Sequence, residues 1–213
     1  MQLPKKLIQT RYNYYKIIPW FRRKASKMIG KEYLITDSEC AIIFAVIAWM
    51  LEDDRVAQEM NFDLNKGILL SGPIGCGKTT LFKVLQKMPT HRKRFGMVST
   101  RMVVSEFMQS GYEVLEKYSR GNFSHEIRVP KDFCFDDLGT ETTSKYYGND
   151  CNVMAEILLT RYDLFIEKGI ITHLTTNLSA GEIETFYGNR LRSRMREMFN
   201  LFGYEGEVID KRL

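Results

Sequence analysis

Gly72-Pro-Ile-Gly-Cys-Gly-Lys-Thr79 is the stretch on which the fold turns. It satisfies every fixed position of G-x-x-x-x-G-K-[ST], a loop that wraps phosphate groups. The context agrees. Gly67-Ile-Leu-Leu-Ser71 precedes it as a short apolar strand, and Lys78 to Lys87 follows with a helical pattern. Phosphate needs backbone N–H groups at close range, and glycine permits both that approach and positive φ. The helix N-terminus adds the positive end of its dipole. Gly72, Pro73, Ile74, Gly75, Cys76, Gly77, Lys78, Thr79 and Thr80 are therefore the predicted nucleotide-binding residues. Lys78 reaches the β- and γ-phosphates, and the Thr79 hydroxyl ligates Mg²⁺. ATP and Mg²⁺ are the expected ligands.

Three more segments lie further along the chain. Phe133-Cys-Phe-Asp136-Asp137-Leu-Gly139 ends a short apolar strand on two acids, a costly placement unless chemistry uses them. Asp136 is expected in the Mg²⁺ coordination shell, and Asp137 is expected to polarise the attacking water. The 59 positions from Lys78 to Asp137 leave room for one inserted strand and helix. Thr175-Thr-Asn177 ends another strand, where the amide of Asn177 can touch both γ-phosphate and water. In Tyr187-Gly-Asn-Arg190-Leu-Arg-Ser-Arg194-Met-Arg196, Arg190 and Arg194 lie four apart and share a helix face. That pair can reach a nucleotide on a neighbouring subunit as an arginine finger.

The intervening sequence fills in an alternating pattern. Thr36-x-x-Glu39 opens a capping box before an apolar helix running to about Gln58. Strands are predicted at Phe95 to Ser99, Asp132 to Phe135 and Ile170 to Thr175, and a last one within Asn200 to Ile209. Helices are predicted at Arg101 to Tyr118, from a cap at Asn149 or Asp150 to Lys168, from a second capping box at Ser179, and at Gly188 to Phe199. Short apolar strands alternating with helices imply an α/β fold with a parallel sheet covered on both faces.

GPIGCGKTTL (72–81), FCFDDLGTE (133–141), THLTTNL (172–178) and YGNRLRSRMREMFN (187–200) together resemble the AAA+ ATPases. Within these, they resemble the subgroup of the bacterial helicase loaders DnaC and DnaI and the transposition helper IstB. The likeness spans about residues 35 to 205. It implies a P-loop NTPase three-layer sandwich of the AAA+ type, with Asp136 and Asp137 as Walker B and Asn177 as sensor 1. It also implies Arg194 as the arginine finger, with Arg190 preceding it in the same box. Many AAA+ proteins carry Asp-Glu where this chain has Asp-Asp. The shorter Asp137 implies slow turnover and a role closer to a nucleotide switch. Only 17 residues follow Arg196, so no C-terminal helical lid is expected. The arm before residue 35 is shorter than the helicase-binding domains of the loaders and lacks their zinc cysteines.

The whole chain bounds the rest. It has 213 residues, 44% apolar and 27% charged, as a globular domain does. The longest apolar run, Ala41 to Leu51, is too short to cross a bilayer, and no signal peptide is expected, since polar Gln9, Thr10 and Arg11 follow Lys5 and Lys6. A cytoplasmic protein with no membrane partner is expected. Cys40, Cys76, Cys134 and Cys151 form no CxxC pair and are expected to be reduced, and His91, His125 and His173 form no metal cluster.

Charge is uneven. Residues 1–31 hold nine basic residues and no acid, leaving 22 basic against 26 acidic elsewhere. Residues 1–34 thus form a basic, aromatic N-terminal arm, and 35–213 the ATPase domain. The arm, His91-Arg-Lys-Arg94 and Lys117 to Arg128, with Tyr118 and Phe123, suit single-stranded DNA. The leading expectation is a homo-oligomeric, Mg²⁺-dependent ATPase acting on DNA in replication or transposition, with a replicative helicase or transposase as partner. The alternatives are an ATP-gated adaptor with little hydrolysis and a small-molecule kinase. Asn177 and the arginine box speak against the kinase.

Overall fold

The computed structural model describes residues 11–90, 94–124, 127–141, 144–146, 149–204 and 209–212. Its helices are α1 (Tyr14–Ile29), α2 (Asp37–Met50), α3 (Asp54–Glu59), α4 (Lys78–Leu85), α5 (Thr100–Ser110), α6 (Tyr112–Ser119), α7 (Val153–Lys168) and α8 (Ala180–Met198). Its strands are β1 (Gly67–Ser71), β2 (Gly96–Ser99), β3 (Asn122–Ser124), β4 (Ile127–Val129), β5 (Phe133–Leu138), β6 (Ser144–Tyr146), β7 (Asn149–Cys151), β8 (Thr172–Thr176) and β9 (Phe199–Gly203). Five strands make one sheet in the order β2-β5-β8-β1-β9, and β3-β4 and β6-β7 form two antiparallel ribbons. The β1–β8, β5–β8 and β2–β5 pairs are parallel, as expected for β-α alternation. The fold is α/β. Among the described residues no helix is long and apolar enough to cross a membrane.

The chain forms two compact units. The larger comprises Asn65–Ser71 and Arg94–Leu201. Its core sets Leu69, Phe135 and Leu174, one from each of three neighbouring strands, against Phe107, Ile157, Leu158, Leu191 and Met195 of the helices. Each such side chain contributes about 1.5–3 kcal/mol of burial. All five residues of β8 are buried although four of them are polar. Each polar side chain has a partner. Arg161 Nε donates to Thr172 Oγ1 at 2.7 Å, the Ile68 amide to His173 Nδ1 at 3.1 Å, and Thr176 Oγ1 to the Leu138 carbonyl at 2.7 Å. Thr175 belongs to the site described below.

Arg161 is itself fully buried. Beyond Thr172, it donates to the carbonyls of Tyr118, Lys131 and Ile171 at 2.9–3.0 Å and approaches that of Ser119 at 3.5 Å. Its guanidinium also lies over the rings of Phe133 and Phe135. Burial pulls its pKa down to about 10, while Asp132 pushes back upward.

The other unit comprises Met1–Leu64, Gly72–Lys93 and Phe202–Leu213. Thr36 and Glu39 make the reciprocal capping box predicted at the start of α2. Ile43 to Met50 is then buried without interruption, and α2 packs against α3 and α4. The helix stops at Met50, and Asp53 caps a separate α3.

α1 is a finding the sequence reading lacked. Pro19, taken as punctuation, sits inside it on the exposed side. Tyr14, Ile18, Phe21 and Ala25 make a buried stripe at helical spacing, and α1 packs against α4. The Tyr14 hydroxyl donates to Asp53 at 2.8 Å, and its ring meets Phe44 at 4.5 Å.

Other boundaries moved for local reasons. Gly111, at φ 62° and ψ −139°, splits the predicted Arg101–Tyr118 helix into α5 and α6. α7 is capped by Asn152, because Asn149–Cys151 pairs as a strand. The two predicted helices from Ser179 to Phe199 form α8, bent at Gly188 (φ 83°, ψ 157°).

Candidate functional site

The phosphate loop has the backbone its glycines predict. Gly75 and Gly77 take φ values of 88° and 91°. A Cβ on Gly75 would fall 2.2 Å from Asp210 Oδ1, and one on Gly77 would fall 2.5 Å from the Tyr33 hydroxyl oxygen. Glycine is required at both places by conformation and by space. Gly77 caps α4 with no side-chain hydrogen bond, which suits a helix end meant to receive an anion. The Lys78 ammonium bends back along the loop. It donates to the carbonyls of Gly72 and Pro73 at 2.7 and 2.9 Å and lies 3.6 Å from Cys76 Sγ. Burial raises the Cys76 pKa, while Lys78 and Lys211 oppose the rise. Thr79 and Thr80 are partly exposed at the start of α4, and Pro73 and Ile74 are exposed.

The C-terminal segment braces this loop, a contact that motif reading misses. The Lys211 amide donates to the Gly75 carbonyl at 2.9 Å. The Lys211 ammonium pairs with Glu39, both almost wholly buried, and lies 5.1 Å from the centre of the Tyr33 ring. Glu39 thus serves two ends, capping α2 and neutralising Lys211. No spacing rule links positions 39, 75 and 211.

In the larger unit, the ends of β1, β5 and β8 lie side by side: Ser71 pairs with Thr176, and so does Leu138. The chain leaves this edge from Ser71 into Gly72. Asp136 and Asp137 end β5 here, and Asn177 follows β8, its residue exposed. The carboxyl edge of a parallel sheet is where such folds bind ligands.

One hydroxyl organises both acids. Thr175 Oγ1 donates to Asp136 Oδ1 at 2.7 Å and accepts from the Asp137 amide at 2.9 Å. Asp136 is buried, and Asp137 is half-buried with a φ of 59°, rare for a residue with a Cβ. The β5–β8 register shifts between Phe135 and Leu138, a bulge that re-aims the strand end. Thr100 Oγ1 at 2.9 Å and Thr140 Oγ1 at 2.8 Å both donate to the Asp137 carbonyl. Sequence reasoning missed Thr175 because a threonine in a strand ordinarily signals β-propensity alone.

The predicted arginine pair lies past the bend of α8. Arg190 is exposed. Arg194 lays its guanidinium 4.6 Å from the ring centre of Tyr162, whose hydroxyl donates to Glu197 at 2.8 Å. Arg192, between them, pairs with Glu184 at 2.6 Å.

The basic-aromatic stretches fare differently. Tyr118 is buried and donates to Glu106, which also pairs with Lys117 at 2.6 Å. It is a core residue and presents no stacking face. Phe123 and Arg128 are register partners in the β3–β4 ribbon. His91 to Lys93, His125, and Lys5 and Lys6 of the arm lie outside the described residues.

The residues fit a Mg²⁺-nucleotide. The glycine cradle, the uncapped helix end and the Lys78 ammonium suit phosphate. Among the described residues no three His, Cys, Asp or Glu side chains gather as a cation cage. Mg²⁺ in nucleotide sites takes one or two carboxylates, with phosphate and water supplying the rest.

Comparison with known proteins agrees with this fold. The model of the ATPase family associated with various cellular activities (AAA) matches residues 68–201. Among solved structures, the chain is similar to the DnaC helicase loader, at 17% identity and a TM-score of 0.53, covering 81% of this chain and 93% of that one. It is similar to DnaI at 19% identity and a TM-score of 0.53, covering 86% and 89%. It is also similar to domain III of the Thermotoga maritima replication initiation protein DnaA, at 16% identity and a TM-score of 0.53, covering 81% and 65%. At these identities the likeness is one of fold. No curated protein sequence matches the chain.

Proposed function

The chain belongs to the AAA family of ATPases, and from that premise we propose that it binds ATP with Mg²⁺, hydrolyses it, and acts on DNA in replication or transposition. The observation that carries hydrolysis is the Thr175 hydroxyl joined to both strand-end acids, with Asp137 kept at positive φ. Such a conformation persists only when its surroundings hold it, and it gathers at working sites.

In this reading, the amides from Gly75 to Thr79 bind phosphate oxygens and Lys78 offsets their charge, with Thr80 next along the helix. Thr79 and Asp136 hold Mg²⁺. When bound there, Mg²⁺ would supply neutralisation of phosphate charge. Asp137 orients and polarises the attacking water, and Asn177 contacts that water and the γ-phosphate. Arg194, with Arg190 one turn before it, serves the nucleotide of a neighbouring copy in a homo-oligomer.

DNA enters through two supports. The structures of similar fold are named a helicase loader and a replication initiation protein. The N-terminal segment is strongly basic over an acidic remainder, and Lys16, Arg23, Lys24 and Lys27 lie exposed on α1. A helicase or a transposase is the protein partner this reading implies.

A second reading has its own observation: the second acid is Asp137, one methylene shorter than glutamate. It makes the chain an ATP-gated adaptor that recruits a partner and turns over little. ATP titration with phosphate release, measured with and without single-stranded DNA, separates the two. Turnover stimulated by DNA supports the first. Tight ATP binding with negligible turnover under both conditions supports the second, and absence of ATP binding overturns both.

A further inference from the structure

We propose that Glu141 and Tyr187 are a positioning pair that couples the loop after Asp137 to the arginine-bearing half of α8. This rests on the ATPase reading above. Glu141 lies four residues beyond Asp137, in the turn that closes β5. One carboxylate oxygen accepts from the Gly139 amide at 3.0 Å, and the other accepts from the Tyr187 hydroxyl. The turn is tight. Gly139 has a φ of 95°, and a Cβ there would lie 2.4 Å from Leu178 Cδ1, in the residue next to Asn177. Thr140 closes the same turn on the Asp137 carbonyl through its amide at 3.2 Å and its hydroxyl at 2.8 Å. A displacement at Asp137 therefore reaches Glu141 through short, hydrogen-bonded backbone.

The other end of the pair sits at the bend. Tyr187 immediately precedes Gly188, the residue of α8 with non-helical φ and ψ. The Phe186 carbonyl accepts from Asn152 Nδ2 at 2.8 Å. The chain entering the bend is thus held at two successive residues, by the loop after β5 and by the cap of α7. Rotation at Gly188 aims everything beyond it, beginning with exposed Arg190. Burial and the neighbouring Glu141 both push the Tyr187 hydroxyl pKa up, so the hydroxyl stays protonated and donates while the carboxylate accepts. Glu141 acts through Tyr187, and Tyr187 acts through the bend; neither is assigned contact with nucleotide. The pair lets the state of the strand-end acids set the aim of Arg190 and Arg194.

The test uses the full chain with Tyr187→Phe, Glu141→Ala and the double variant. Melting temperature, ATP affinity, KM, kcat and amide exchange at residues 189–192 are measured. The expected result is a fall in kcat of about tenfold for each single variant, with KM and ATP affinity within about twofold. The double variant falls no further than the worse single one, as members of one interacting pair do. Amides 189–192 exchange faster in all three. Independent, multiplicative losses of kcat overturn the proposal. So does a Glu141→Ala variant as silent as Asp137→Asn beside a Tyr187→Phe variant at the parental rate, since the carboxylate would then act by itself. If the parental chain releases no phosphate, the ATPase reading fails on its own account, and exchange alone decides. Faster exchange in both single variants keeps the coupling, and parental exchange in both removes it.

Discussion

Lys78 rests on the carbonyls of Gly72 and Pro73, so an arriving phosphate has to draw the ammonium away from them. Removing that charge leaves phosphate in the loop with no full positive partner. Lys78→Ala is expected to abolish ATP binding in a nucleotide titration. Asp137→Asn is expected to keep binding and lose phosphate release. Asparagine tolerates the left-handed conformation that Asp137 occupies, so the fold should survive the change. Phosphate release at the parental rate in Asp137→Asn would falsify the role given to this acid. Thr175→Val tests the hydroxyl between the acids. Valine keeps the shape but removes the bonds to the Asp137 amide and to Asp136, at a cost of about 1–3 kcal/mol. A melting temperature lower by roughly 3–10 °C follows for a chain of this size, with slower phosphate release. At this scale the sequence announces residues whose spacing is a signature: the loop, the acid pair, the arginine pair. The role of Thr175 and the pairing of Glu39 with Lys211 stay hidden, because they depend on partners 38 to 172 positions apart.

At the scale of elements, Arg161 ties α7 to three neighbouring segments beyond its apolar packing. Arg161 donates to the carbonyl ends of α6, to the loop before β5 and to the entry of β8. Arg161→Met fills the space but removes these donors, each worth about 1 kcal/mol or more where buried. A loss on the order of 3–5 kcal/mol is expected in denaturant unfolding, and an unchanged midpoint would show the bonds to be idle. α1 changes what the basic arm can be asked. Its apolar stripe packs on α4, the helix that opens with Lys78. Deleting residues 2–31 should therefore lower the melting temperature and weaken ATP binding, so deletion cannot isolate the role of the charges. Replacing exposed Lys16, Arg23 and Lys27 with glutamine spares the buried stripe. If these residues meet single-stranded DNA, the slope of log affinity against log salt flattens by about 0.7 for each lost phosphate contact. An unchanged slope would leave them as solvated surface. The sequence showed the strands around the loop well, since apolar residues flanked by turns leave few options. It concealed α1, because Pro19 inside the helix reads as a break although it lies off the buried stripe, and the break at Gly111, which inside a long amphipathic pattern passes for a tolerated glycine.

For the whole molecule, the family fixes the frame and the chain's own residues fix the test of assembly. Arg190 is exposed and Arg194 leans on Tyr162, which leaves the first free to reach outward. Lys78→Ala and Arg194→Ala proteins, each inactive alone, are expected to regain part of the activity when mixed, because each repairs the other's defect across a shared interface. Oligomers that form in the mixture yet stay silent would remove Arg194 from a role in trans. The α/β class and the AAA-type core follow from four segments covering a small part of the sequence, since a phosphate loop between a strand and a helix admits few folds. The β3–β4 and β6–β7 ribbons gave no such warning: three-residue strands lie below the length at which alternation stands out.

The brace on the phosphate loop bears on protein engineering. Residues 72–79 match a portable signature, and cassettes of this kind invite transplantation between scaffolds. Here Gly75 leans on Asp210, its carbonyl is held by the Lys211 amide, and Lys211 carries the charge that offsets buried Glu39. A graft of the eight residues alone would leave the donor's support behind, and truncation near Tyr204 would leave buried Glu39 without the charge of Lys211. A faithful transplant has to bring position 39, the loop and positions 210–211 together, three pieces that no single stretch of the gene encodes.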